Sequence, residues 1–198
     1  GTTIKDIQQG SVTEGSNVTF TGASVTGLTF PTSNLTGFFV QDPAGGEYSG
    51  MYVVYPATVT VDALALGDIV DVSGQYVEYY DMSEIKATSV TRKSSGTPLA
   101  PITVSAADIA TGGPKAEAYE SVLVKVENVE TISANPDGAK DYGEVQVTGN
   151  LRVDDLYDYD YAATRNVGDQ FNYIIGILNY GFENTKLEPR GNDDLSKK

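Results

Sequence analysis

A chain of 198 residues suits one large domain or two small ones, and 40% apolar residues are enough to build a core. It has no cysteine and no histidine, which removes disulfides, thiolate and imidazole metal sites, Ser-His-Asp catalysis and thiol nucleophiles. With 27 acidic against 13 basic residues the net charge is -14, a surface that repels phosphate backbones and suits an extracellular protein meeting calcium.

Valine, threonine and tyrosine are plentiful beside 21 glycines and 8 prolines, the balance of strands joined by turns. No apolar run approaches the roughly 18 residues that cross a bilayer as a helix. The chain opens at Gly1 rather than a methionine and reads as a mature or trimmed sequence, which leaves the compartment open.

In chain order, a leader at Thr3-Ile4-Lys5-Asp6-Ile7 precedes a polar Gly-containing turn and the alternating run Asn17 to Val25. Period-two alternation predicts a half-buried strand. Two shorter strands follow, Gly37 to Asp42 and Met51 to Tyr55, and then a longer connection from Pro56 to Leu66. Gly67-Asp68 opens a fourth strand interrupted by Gly74, and a short closing strand includes Ile85. The Ser-, Gly- and Pro-rich stretch Ser94 to Pro101 cannot continue a strand and reads as a linker.

The same order recurs beyond it. A leader at Val104 to Ile109 is followed by the alternating run Ser121 to Val129, then Tyr142 to Val147 and Asn150 to Asp154. After the connection Asp155 to Val167, Gly168-Asp169 opens a strand interrupted by Gly176. From Gly74 to Ile85 and from Gly176 to Leu187 the spacing is 11 residues in both halves. Glycine inside a strand marks a bulge or sharp bend, which a small barrel needs in order to close. Five strands with a longer connection after the third is the order of the OB barrel. The expected architecture is all-β: two tandem five-stranded OB-type Greek-key barrels, residues 1–95 and 102–198, joined by a linker at 96–101. A β-sandwich is the structural rival.

Gly37-Phe38-Phe39-Val40-Gln41-Asp42-Pro43 resembles a strand of OB-fold modules attached to bacterial extracellular nucleases and related surface proteins. Gly50 to Tyr55, Gly67-Asp68 and Gly74 follow in that family's order. The second half is similar to a companion module at Tyr119-Glu120, Asp141 to Glu144, Leu151 to Asp155 and Lys186 to Arg190. The resemblance implies an exported, non-catalytic accessory module, since the nuclease chemistry of such proteins lies in a separate domain. The partner is then a protein, a surface polymer or copies of the chain itself. Self-association would use the segment Thr2 to Val25 against a neighbour's sheet edge. The alternative is single-stranded nucleic acid, which the net charge disfavours.

Two loops carry carboxylates in numbers that suit calcium, which takes six to eight oxygens. One holds Asp154, Asp155, Asp158 and Asp160; the other holds Asp137, Asp141 and Glu144. Neither has EF-hand spacing, and both also read as plain turns. A third loop, Asp42 to Glu47, is a lesser candidate. Among 13 tyrosines, Tyr76, Tyr79, Tyr80, Tyr157, Tyr159 and Tyr180 lie near turns and are candidates for stacking on a ligand. No carboxylate pair stands out as the acid and base of a glycosidase.

Overall fold

The computed structural model describes residues 1–198 and divides them into two units. The first comprises Gly1–Ala100 with Glu120–Val122; the second comprises Pro101–Tyr119 and Leu123–Lys198.

The first unit begins with a single helical turn, α1 (Ile4–Gln8), fixed by a capping box. The Thr3 hydroxyl accepts from the Asp6 N–H at 3.1 Å, and the Asp6 carboxylate accepts from the Thr3 N–H at 2.9 Å. The turn places Ile4 and Ile7 in the core. Five strands follow: β1 (Asn17–Pro31), β2 (Thr36–Gln41), β3 (Gly50–Tyr55), β4 (Ile69–Tyr79) and β5 (Met82–Ser94). They close in the order β1-β2-β3-β5-β4, antiparallel except for β3 against β5. This closed five-stranded ring has the OB strand order. Val18, Phe20, Val25, Phe38, Val40, Met51, Val53, Val72 and Ile85 fill it.

Closure depends on bends at glycines. Gly22, at φ +73°, marks a register shift between Phe20 and Ala23, and its N–H donates to the Asp71 carboxylate at 3.0 Å. The bend lets the first part of β1 pair with β4 and the second part with β2. Asn17 to Val25, the later part of the segment expected to seek a neighbour's sheet, thus pairs with β4 and β2 of its own ring. Gly74 sits at the second shift, where a Cβ would come within 2.3 Å of the Lys86 carbonyl oxygen. That bend allows β5 to run on for 13 residues rather than stop as a short closing strand. The Pro56 to Leu66 connection carries no helix.

The second unit holds β6 (Ile102–Thr103), α2 (Ala106–Ile109), β7 (Leu123–Ser133), β8 (Val145–Val147), β9 (Leu151–Val153), β10 (Gln170–Gly181), β11 (Asn184–Glu188) and β12 (Leu195–Lys197). The sheet order is β12-β10-β11-β9-β8-β7-β6, and β10 also pairs with β7. The pairings β7-β8-β9-β11-β10-β7 thus return on themselves in the order seen in the first unit, again with a parallel step, β9 against β11. The connection after β9 contains only a 3-10 helical turn, Asp160–Ala163.

The Gly-Asp pairs do the same work in both units. The Val25 N–H donates to the Asp68 carbonyl and the Gly67 N–H to the Val25 carbonyl, each at 2.9 Å. Thr131 with Gly168 and Asp169 repeats both bonds at 2.9 Å. Gly67 and Gly168 adopt φ of +88° and +93°, which only glycine takes without strain.

Candidate functional site

The most exposed aromatic rings lie on the turns that join the fourth and fifth strands of each ring. Between β4 and β5 the turn residues are Tyr80 and Asp81, at φ +47° and +64°. Between β10 and β11 they are Phe182 and Glu183, at φ +50° and +66°. Two consecutive left-handed residues make a type I′ hairpin, whose twist matches the flanking strands and whose usual occupants are Asn and Gly. An aromatic residue at the first position is strained there, and strain of this kind concentrates at functional positions. Tyr80 is 78% exposed and Phe182 93%, so neither ring recovers the cost by burial. Tyr79, 56% exposed, meets Tyr80 edge to face at 4.7 Å. The Lys186 ammonium lies 5.5 Å from the centroid of Phe182.

Of the six tyrosines read from the sequence, Tyr79 and Tyr80 are presented to solvent. Tyr76 is buried, its hydroxyl bonded to Glu78, and burial followed by that carboxylate pushes its ionisation up to about 12. Tyr159 is buried and donates to the Asp154 carbonyl at 2.8 Å, while Tyr157 and Tyr180 are half-buried. Phe182 was not among the candidates. It stands six residues after Gly176 as Tyr80 stands six after Gly74, so the internal repeat carried the signal.

The outer sides of the rings are less open. On the first, Phe30, Phe39 and Tyr52 form a stack, with Phe39–Tyr52 centroids 5.0 Å apart and Phe30–Phe39 5.9 Å. Gly37 makes room for it: a Cβ there would come within 2.6 Å of the Tyr52 hydroxyl and 2.9 Å of Phe30. Phe39 is nevertheless fully buried, so the stack offers no platform. Tyr52 pairs in register with Glu84. Burial first, and Glu84 second, raise the Tyr52 hydroxyl far above the usual tyrosine range, and burial likewise raises Glu84. Beside them the Glu120 carboxylate accepts from the Ser83 N–H at 2.8 Å.

On the second ring, Gln146, Arg152 and Lys186 stand abreast across β8, β9 and β11. Glu144, 3% exposed, accepts from Lys186 at 2.9 Å and from Arg152 at 3.3 Å, and Asp137 accepts from Arg152 at 2.7 Å. Asp141 is held by Arg165 at 2.6 Å and 2.9 Å, and that guanidinium, helped by the Gly143 N–H, lowers its ionisation. Asp137, Asp141 and Glu144, read as calcium ligands, are instead occupied by three cationic side chains.

The Asp154 to Asp160 loop is also dispersed. Asp155, Asp158 and Asp160 are exposed, whereas Tyr159 and Tyr161 point inward as anchors. Tyr161 donates to Asp169 at 2.9 Å and meets Phe171 edge-on at 4.9 Å. No group of three or more acidic side chains stands arranged to hold a metal ion. Asp42, in the third loop, caps its own turn by accepting from the Ala44 N–H at 2.9 Å. The sequence reading missed Glu188, which is fully buried under this connection. It accepts from the Leu156 N–H and from Asn179, each at 3.2 Å, and burial followed by Asp154 raises its ionisation well above the usual carboxylate range.

No protein-family model and no curated protein matches this sequence. Among solved structures, the chain is similar to asparaginyl-tRNA synthetase from Pyrococcus horikoshii at 14% identity and a TM-score of 0.35. That match covers 45% of this chain and only 22% of the synthetase. It is also similar to wild-type single-stranded DNA binding protein from Thermus aquaticus at 15% identity and a TM-score of 0.26, over 94% of each chain. A deletion mutant of that protein gives 13% identity and a TM-score of 0.25, over 93% of this chain and 95% of the other.

Proposed function

We propose that this chain is a non-catalytic binding module of an exported protein, two OB-type barrels in tandem, each offering the hairpin between its fourth and fifth strands to a partner. The observation that carries this reading is the exposed aromatic ring on the first residue of the same left-handed turn in both units. A protein that needed only to close its hairpins would be more stable with Asn or Gly at Tyr80 and Phe182. Retaining strained, solvated rings at both places fits a surface selected for contact.

Nucleic acid is the weaker reading. Arg152 and Lys186, cations on β9 and β11, are already neutralised by Asp137 and Glu144, and the net charge of -14 opposes a phosphate backbone. The test is co-sedimentation with bacterial cell envelopes. The wild-type chain is expected to pellet and a Tyr80→Asn/Phe182→Asn double variant to remain in the supernatant. A double variant that pellets like the wild type would falsify the reading.

A further inference from the structure

Each exposed ring is followed immediately by an exposed carboxylate: Tyr80 by Asp81, and Phe182 by Glu183. A ring supplies a flat apolar surface, and an ionised carboxylate only accepts hydrogen bonds. A ligand matched to both has an apolar face and several hydroxyl donors, and carries no negative charge. On this basis, and resting on the hairpin reading above, we propose that each turn binds an uncharged polysaccharide, with a sugar ring stacked on Tyr80 or Phe182 and its hydroxyls donating to Asp81 or Glu183.

The surroundings agree with this assignment. Tyr79 braces the edge of Tyr80 at 4.7 Å, and Lys186 approaches Phe182 while bonded to Glu144, so each ring has a fixed neighbour and a free surface. Residues 79–82 and 181–184 include no basic residue, and Lys186 beside Phe182 is already paired with Glu144, so phosphate, sulfate and uronate chains meet the turn carboxylates as well as the net charge of -14. A hydroxyl bonded to a carboxylate is charge-assisted and stronger than one bonded to a neutral acceptor. Because each turn carries its own ring and acceptor, the two act as separate sites of the same kind.

The experiment is a backbone-amide NMR titration of the whole 15N-labelled chain with cellohexaose, maltohexaose and xylohexaose, beside a heparin hexasaccharide and a hexathymidylate oligonucleotide. At least one neutral hexasaccharide is expected to shift the amides of residues 79–82 and 181–184, and the two anionic probes to leave them in place. Tyr80→Ala should abolish the shifts at the first turn alone, and Phe182→Ala those at the second alone. Asp81→Asn and Glu183→Gln should each weaken binding at their own turn about tenfold, because a charged acceptor is lost while the ring remains. An anionic probe that shifts these turns, or carboxylate variants that bind as tightly as the wild type, overturns the neutral-sugar assignment. So does silence from all three neutral sugars while envelope sedimentation still depends on the rings; in each of these three cases the hairpin reading stands. Sedimentation unaffected by loss of both rings removes that reading, and this proposal with it.

Discussion

Replacing Glu144 by Leu should be among the most damaging single changes outside the apolar core. Glu144 is 3% exposed and is the only carboxylate bonded to Lys186, whose side chain is 9% exposed. Removing it strands an ammonium away from water, whereas Arg152 keeps Asp137 at 2.7 Å. Breaking a buried pair by deleting one partner costs about 3–5 kcal/mol. For a unit of about 100 residues each kcal/mol lowers the midpoint by about 4–8 °C, so calorimetry should show a loss exceeding about 10 °C. Lys186→Met should be similarly costly, since it leaves the Glu144 charge facing only the more distant Arg152. The double variant, which removes both charges and fills the space with apolar atoms, should return to within about 1 kcal/mol of the wild type. The cycle therefore predicts a coupling of at least about 5 kcal/mol. A Glu144→Leu variant within about 1 kcal/mol of the wild type, or a double variant as unstable as the sum of the singles, refutes this account of the network.

Glu188 sets a pH dependence of opposite sense to the ordinary ion pairs. Its ionisation is raised in the fold, so stability is fully present below the usual carboxylate range and is lost as pH climbs through the raised value. Urea midpoints from pH 4 to 9 should fall on the alkaline side for the wild type and stay flatter for Glu188→Gln; identical profiles would contradict this. Asp68, Asp141 and Asp169, lowered chiefly by Arg92, Arg165 and Tyr161 in turn, contribute stability above the usual aspartate range that is lost as pH falls through their lowered values. Gly74→Ala should cost about 3 kcal/mol in urea denaturation, because its Cβ would meet the backbone of Lys86 and Ala87 at 2.3 Å and 2.7 Å. A neutral result there means that β5 can shift without loss. Tyr80→Asn and Phe182→Asn should each raise stability by about 1 kcal/mol by relieving left-handed strain. A fall in midpoint would show that the rings support the fold rather than a partner.

Strand positions were legible because alternation survives in the residues themselves. Val18 and Phe20 face the core as the period-two reading of Asn17 to Val25 requires, the shift at Gly22 changes the phase so that Ala23 and Val25 do so beyond it, and the 11-residue spacing places Ile85 and Leu187 at matching buried positions. The glycines were legible for the same reason, since Gly74 and Gly176 stand where two backbones approach. What failed were inferences from local composition. Asp154 to Tyr161 reads as an acidic loop bearing stacking rings, yet the chain folds back so that Tyr159 and Tyr161 become anchors. Asp137, Asp141 and Glu144 resemble a ligand set only until Arg152, Arg165 and Lys186 arrive from other strands and connections. Those encounters are tertiary, and no spacing within one segment encodes them. The repeat already sets Asn179-Tyr180-Gly181-Phe182 against Glu78-Tyr79-Tyr80-Asp81 as an aromatic turn, but only tyrosines were candidates for stacking, and Phe182 is not one.

The parallel steps also determine how each ring would come apart. β4 and β5 share 11 register pairs, whereas β3 and β5 share three and β9 and β11 two, as few as the β7–β8 hairpin. Of those two short seams β7–β8 joins strands consecutive in the chain, whereas β9–β11 joins strands distant in sequence and is the one free to part. Separation of β9 from β11 leaves every hairpin intact and turns the second circle into an open ribbon, baring Val153 and Leu187. The Glu144 carboxylate, reaching Arg152 on one side of that seam and Lys186 on the other, works as its clasp. The charges least suited to a protein interior thus sit where few backbone pairings hold the circle shut.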